Sequence, residues 1–257
     1  MTISTFDLAS LDGLFSRPEI AEAMKRVSPT GYASAARFWQ TPLEGPHLSA
    51  RMKELVYFTM HVAATSLNGE AIKRQVQRIL AAGGSHADIV DVVVTIASLA
   101  NHALYSCVPV LEEELAAAGQ TTATEAEFTP ELAAAKRHFV DVRGFWNEHR
   151  DPVARMMPDY TAALIGVATE SWENGSLTRR ERELVCIAVD CNVTHSFPAG
   201  LRTHIRNALD AGATKGEIIE VFQMAALMGL EGFVLTGEAM FGEAATDGEP
   251  AAAAPNG

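Results

Sequence analysis

The chain has 257 residues, 48% of them hydrophobic, and a formal net charge of −12 at pH 7. That charge excludes nucleic acid as a partner, because a phosphate backbone demands a basic face, and no uncharged apolar run is long enough to span a bilayer. The start MTISTFDLASLDG lacks a signal peptide's basic and apolar blocks, and three cysteines (Cys107, Cys186, Cys191) make no disulfide framework, so a cytoplasmic location with no membrane partner is expected.

One stretch of sequence occurs twice. Leu48-Ser49-Ala50-Arg51-Met52-Lys53-Glu54-Leu55-Val56 returns as Leu177-Thr178-Arg179-Arg180-Glu181-Arg182-Glu183-Leu184-Val185, and Glu54/Glu183, Gln75/His204 and Gly83/Gly212 are all 129 residues apart. A repeat this long is a duplicated domain, since solenoid units run about 20 to 50 residues. The boundaries read as an N-terminal repeat with a degenerate site (1–118), a linker (119–135), a C-terminal repeat with the site (136–246) and a disordered tail (247–257).

In chain order the apolar spacing is helical. Leu55, Phe58 and Val62 in the first copy, and Ile218, Val221, Phe222 and Ala225 in the second, step by three and four. Ser49 and Thr178 sit at helix N-caps, and Gly83 and Gly212 at C-terminal caps. Ser85 with Asp88, and Thr214 with Glu217, read as capping boxes. The polar stretch Gly119–Thr129 leads into a helix expected over 130–148. In the second copy Pro198 suits a first helical turn, with Ser196 as its cap. The fold class is all-α, a tandem duplication.

The polar differences between the copies point to chemistry. Glu183 and Asp190 lie seven apart on one helix face; the first copy has Glu54 and His61 there. A carboxylate on so apolar a helix is expected to be buried with a raised pKa, fit for proton transfer. His204 follows on the next helix, and His195 lies in the break between them, near orphan backbone N–H groups. The first copy has Gln75 and Ser66 at these positions and cannot repeat the pair, but has His102 where the second has Glu231. His47, His86, His138 and His149 read as solvated. Metal binding by His195, His204 and Glu183 is the minor reading, because no tight His pair supports it. No metal or cofactor is expected. Among the arginines, Arg202 and Arg206 are the candidates for holding a substrate carboxylate.

The text Leu177-Thr178-x-x-x-Arg182-Glu183-Leu184, then Gly200-Leu-Arg-Thr-His204-Ile-Arg-Asn-Ala-Leu209 and Gly212-Ala-Thr-Lys-Gly-Glu-Ile218, resembles the carboxymuconolactone decarboxylase family and its relative alkyl hydroperoxidase D. The peroxidase branch carries a Cys-x-x-Cys; here Phe197 and Gly200 stand in its place, so the resemblance implies no thiol mechanism. It implies a cofactor-independent, lyase-type enzyme that decarboxylates or isomerises a small carboxylated or lactone-like metabolite. His204 would be the general acid/base, Glu183 its partner, and His195 a substrate or oxyanion contact. His102, Arg202 and Arg206 are the further substrate-binding candidates. Thiol peroxidase activity and a non-catalytic binding module are the alternatives. Paired apolar faces suggest a homo-oligomer, a trimeric ring or a dimer.

Overall fold

The computed structural model describes residues 7–120 and 127–242. Among them there are helices and no strands. The 129-residue offset extends further back than the sequence text shows. Helices α1 (Pro18–Val27) and α2 (Pro29–Leu43) correspond to α8 (Arg150–Met156) and α9 (Pro158–Asn174), each pair separated by one residue. Pro29 and Pro158 occupy equivalent first-turn positions, where the missing N–H costs nothing. Helices α3 (Ala50–Val62), α4 (Gly69–Ala81) and α5 (His86–Ala97) match α10 (Arg179–Cys191), α11 (Pro198–Asp210) and α12 (Lys215–Ala226) residue for residue. Helices α5 and α12 each run through a short 3-10 segment into a final helix, α6 (Leu104–Ala117) and α13 (Glu231–Phe241).

The caps explain these limits. Ser49 and Thr178 accept N–H bonds from Met52 and Glu181, and both Ser85/Asp88 and Thr214/Glu217 close as capping boxes. Gly83 and Gly212 take left-handed conformations, at φ of 85° and 88°. In each case the following residue donates back five positions, Gly84 to Ile79 and Ala213 to Ala208, the Schellman pattern that a side chain would strain. Helix α7 (Pro130–Arg143) stops five residues short of the expected end. Gly144 adopts the left-handed conformation there, at φ 81°, and the chain then turns into α8. The tail and residues 121–126 of the linker lie outside the described residues.

The repeats are interleaved and share one core. Helix α3 packs along α10 at the centre, α5 of the first repeat lies on α9 of the second, and α12 lies on α2. One cluster of buried residues includes Trp39, Leu55 and Tyr57 from the first repeat and Val185, Ile187 and Met224 from the second. Two equivalent acids fasten the halves. Asp91 accepts the Leu177 N–H at 2.6 Å and pairs with Arg182 at 2.8 Å. Glu220, 129 residues on, accepts the Leu48 N–H at 2.7 Å and faces Lys53 at 3.7 Å. The remaining arginines of the basic run also serve structure, Arg180 facing Glu217 and Arg179 bonding the Arg143 carbonyl.

Two continuous helical stretches, His86–Ala117 and Lys215–Phe241, are long and apolar enough to cross a membrane by length and composition. Their carboxylates Asp91 and Glu220 are the acids that fasten the repeats together, and about half of each stretch is buried in the fold.

Candidate active site

The side chains of the second repeat meet between α10 and α11. Glu183 Oε2 and His204 Nδ1 are 2.7 Å apart and both residues are buried; Asn207 donates to the other Glu183 oxygen at 3.3 Å. Burial alone would depress the His204 imidazole. The adjacent Cys186 sulfur and the Glu183 carboxylate outweigh it and raise His204 to about 10. Burial would likewise raise Glu183, but its hydrogen bond to His204, with the charges of His204 and Arg143, holds it below the usual carboxylate range. The expectation of a raised Glu183 pKa is therefore overturned, because the depth that desolvates the acid also brings a cation to it. At neutral pH the pair is carboxylate and imidazolium.

The first repeat shows what the same positions do without a histidine. Glu54 accepts from Arg78 at 2.8 Å and from Gln75 at 3.0 Å, all buried. Gln75 stands for His204 and Arg78 for Asn207. That trio is a permanent ion pair with no proton to give.

Beyond His204 lies Asp190, whose Oδ2 is 3.9 Å from His204 Nε2, a charge contact too long for a hydrogen bond. Its Oδ1 faces two more imidazoles, His102 Nδ1 at 3.3 Å and His195 Nε2 at 3.5 Å, which are 2.8 Å from each other. A tight turn after α10 brings His195 back over Asp190. The His195 and Ser196 N–H groups donate to the Asn192 carbonyl, and the Phe197 N–H to the Asp190 carbonyl. Ser196 takes φ 44° in this turn and does not cap α11; Phe197 holds the cap position without a side-chain bond. His102 arrives from the other repeat, on the 3-10 segment after α5, with its ring stacked on Phe197 at 4.0 Å. Gly200 leaves room for Asp190, since a Cβ there would collide with the carboxylate and with Phe197. The two positions aligned with the peroxidase cysteines thus hold a ring that fixes His102 and a gap filled by Asp190.

Two spaces adjoin these residues. A cleft of about 340 Å³, mostly apolar, is lined by His102, His195 and Phe197 with Ala63, Leu99 and Val189. A narrow crevice of about 10 Å³ lies on the other side of the His102–Phe197 stack, lined by His204, Thr203, Arg143, Arg150 and Tyr105. It has room for about one water.

Of the residues singled out from sequence, Glu183, His204, His195 and His102 come together here. Arg202 and Arg206 face solvent and line neither space. The arginines at the site are Arg143, stacked on Trp172 at 3.4 Å, and Arg150, whose buried Nε has no hydrogen-bond partner among the described residues. Both come from α7, α8 and their connection, outside the repeated text, so nothing in the sequence marked them. His149, read as solvated, is half-buried against Tyr105 at 4.3 Å, and burial pushes its pKa down. His61 is fully buried, and burial together with Arg74 depresses it to about 3. The Cys191 thiol is pushed up to about 12 by burial and by Asp190, the wrong direction for a nucleophile.

Residues 158–232 match the model of the carboxymuconolactone decarboxylase family. No protein of curated function matches the chain. A crystal structure from Burkholderia xenovorans LB400, described as a "putative gamma-carboxymuconolactone decarboxylase subunit", superposes with a TM-score of 0.82 at 24% identity, covering 95% of this chain and 97% of that one. That likeness is one of fold. The matched segment spans α9 to the start of α13, so the second repeat is similar to the carboxymuconolactone decarboxylase family.

Proposed function

We propose that this protein is a lyase-type enzyme that decarboxylates or isomerises a small carboxylated, conjugated lactone-like metabolite by proton transfer. The observation that carries the reading is the buried Glu183–His204 pair, connected through Asp190 to the His102 and His195 rings that line a cleft of small-molecule size. In the decarboxylation, the bond to the departing carboxyl carbon breaks and carbon dioxide leaves. The electron pair enters the substrate's own conjugated carbonyl, and a proton then closes the dienolate. His204 is the source of that proton: Asp190, 3.9 Å from its Nε2, connects it to His102 and His195, which border the cleft and pass the proton to the dienolate. The resulting neutral imidazole regains its proton from solvent through the crevice it shares with Arg150 and Thr203. Glu183 keeps His204 protonated and fixes its tautomer, with Nδ1–H directed at the carboxylate. The apolar walls of the cleft exclude water from the dienolate.

The test is release of carbon dioxide from gamma-carboxymuconolactone and a panel of conjugated lactone carboxylates. His204→Gln, the residue found at the equivalent position 75, should lower kcat by about 10² or more, the usual worth of a general acid. Turnover within about threefold of wild type would remove the assignment. Self-association is a further part of the reading, supported by matching exposed apolar stripes, Val90/Val93 and Ile219/Phe222. Sedimentation at several concentrations tests it, and a monomer throughout would exclude it.

A further inference from the structure

We propose that Asp190, His102 and His195 form a binding site for a divalent first-row transition-metal ion. The donor atoms Asp190 Oδ1, His102 Nδ1 and His195 Nε2 form a triangle with edges of 2.8, 3.3 and 3.5 Å. The circle through them has a radius of roughly 1.9 Å, so an ion at the usual distance of about 2.1 Å from nitrogen and oxygen ligands fits just off their plane.

The carboxylate is the second observation. Asp190 is 1% exposed and neither of its oxygens has a hydrogen-bond partner among the described residues. A buried carboxylate without donors is costly and calls for a cation. The equivalent pair elsewhere in the fold shows the other solution. There the acid and imidazole have changed places, with His61 at the position of Asp190 and Glu231 at that of His102, 3.4 Å apart. Glu231 is saturated by Arg74, by the Tyr57 hydroxyl at 3.1 Å and by Asn68 at 3.4 Å. Asp190 has no arginine, hydroxyl or amide of this kind.

The surroundings suit a metal. The Phe197 stack fixes the His102 ring, and Gly200 makes room for the carboxylate. The second Asp190 oxygen faces His204, so the acid–base pair would stand in the ion's outer shell. Two imidazoles and one carboxylate favour zinc or iron(II) over magnesium or calcium, which prefer all-oxygen shells. Three protein ligands leave at least one coordination position, and His102 and His195 both border the cleft.

The inference does not rest on the decarboxylation reading, because binding can be measured without turnover. Chelator-treated full-length protein is titrated with Zn²⁺ by calorimetry and with Co²⁺ by visible absorption. One equivalent per chain is expected, with visible bands typical of nitrogen and oxygen ligands and at least tenfold weaker binding in both Asp190→Asn and His195→Gln. His195 lies in the turn after α10 with its side chain 11% exposed against 0% for Asp190, so its variant tests the site even where Asp190→Asn misfolds. No saturable binding to the wild type, or full affinity in folded His195→Gln, would overturn the proposal. So would an intense near-ultraviolet thiolate band lost in Cys186→Ser, which would place the ion at Glu183, Cys186 and His204 instead.

Discussion

The sharpest consequence of the Glu183–His204 pair is a pH dependence of stability that the first repeat's trio should abolish. In the double variant His204→Gln/Asn207→Arg the second repeat would carry the Glu–Gln–Arg arrangement already present at Glu54, Gln75 and Arg78. The wild-type imidazole stands at about 10 in the folded state against 6.5 ordinarily. A raised folded pKa stabilises fully below the unfolded value, and that contribution is lost as pH climbs through the folded value. At about 1.4 kcal/mol per pH unit, the pair should contribute about 4 kcal/mol at pH 6.5 and about 1 kcal/mol at pH 9.5. Glu183, depressed in the fold, adds a loss only as pH falls below its ordinary 4.5. Arginine does not titrate in this range, so the variant should lack the alkaline loss.

Urea unfolding followed by circular dichroism, in buffers from pH 6.5 to about 9.5, measures the difference between the two proteins. Taking that difference cancels the lysines, tyrosines and other groups common to both. The wild type should lose about 3 kcal/mol relative to the variant across the range. A difference that changes by less than about 1 kcal/mol would refute the charged state assigned to His204. The variant should also be inactive on any substrate the wild type decarboxylates.

Other expectations are more local. Gly200→Ala should cost about 1–3 kcal/mol in chemical unfolding, because the new methyl collides with the buried Asp190 carboxylate and the Phe197 ring. Asp91→Ala should cost about 3–5 kcal/mol, since it leaves buried Arg182 unpaired and frees the Leu177 N–H; a loss under about 1 kcal/mol would show that the repeats are fastened elsewhere. Stopped-flow peroxide consumption should be the same in wild type and Cys186→Ser/Cys191→Ser; a fall in the variant would revive the thiol peroxidase reading.

The helices were legible in the sequence because their limits are set by local chemistry. Ser85, Thr214, Gly83 and Gly212 each satisfy backbone groups within a few residues of themselves. The limit at Arg143 was missed although Gly144 was in plain view, because charged residues continue the helical pattern past it. The Glu183–His204 contact could be anticipated from two adjacent helices, but its charge state could not. That depends on which depth effect wins, desolvation of the acid or closeness of the imidazole. Asp190 was visible on the Glu183 face yet had no assigned role, because its imidazoles lie in the turn and in the other repeat. Arg143 and Arg150 belong to elements that the repeated text does not cover.

The two repeats do not each build a self-contained acid–imidazole position, for a topological reason. Because α5 and α12 cross between the halves, each acid–imidazole position is built from α3 or α10 of one repeat and the segment following α12 or α5 of the other. Duplication therefore produced two composite positions rather than two self-contained sites. In one, the acid sits on the far segment, where Arg74, Tyr57 and Asn68 neutralise it, and burial leaves His61 uncharged. In the other, the acid sits on α10 beside His204, and both partners facing its Oδ1 are imidazoles that reach the cleft. A single exchange of acid and base between the central helix and the segment facing it thus decides which position is sealed and which can meet a ligand. Single variants at Gln75 or Arg78 that spare the fold should leave turnover intact, whereas His102, which belongs by position to the first repeat and by contact to the second, should not be replaceable.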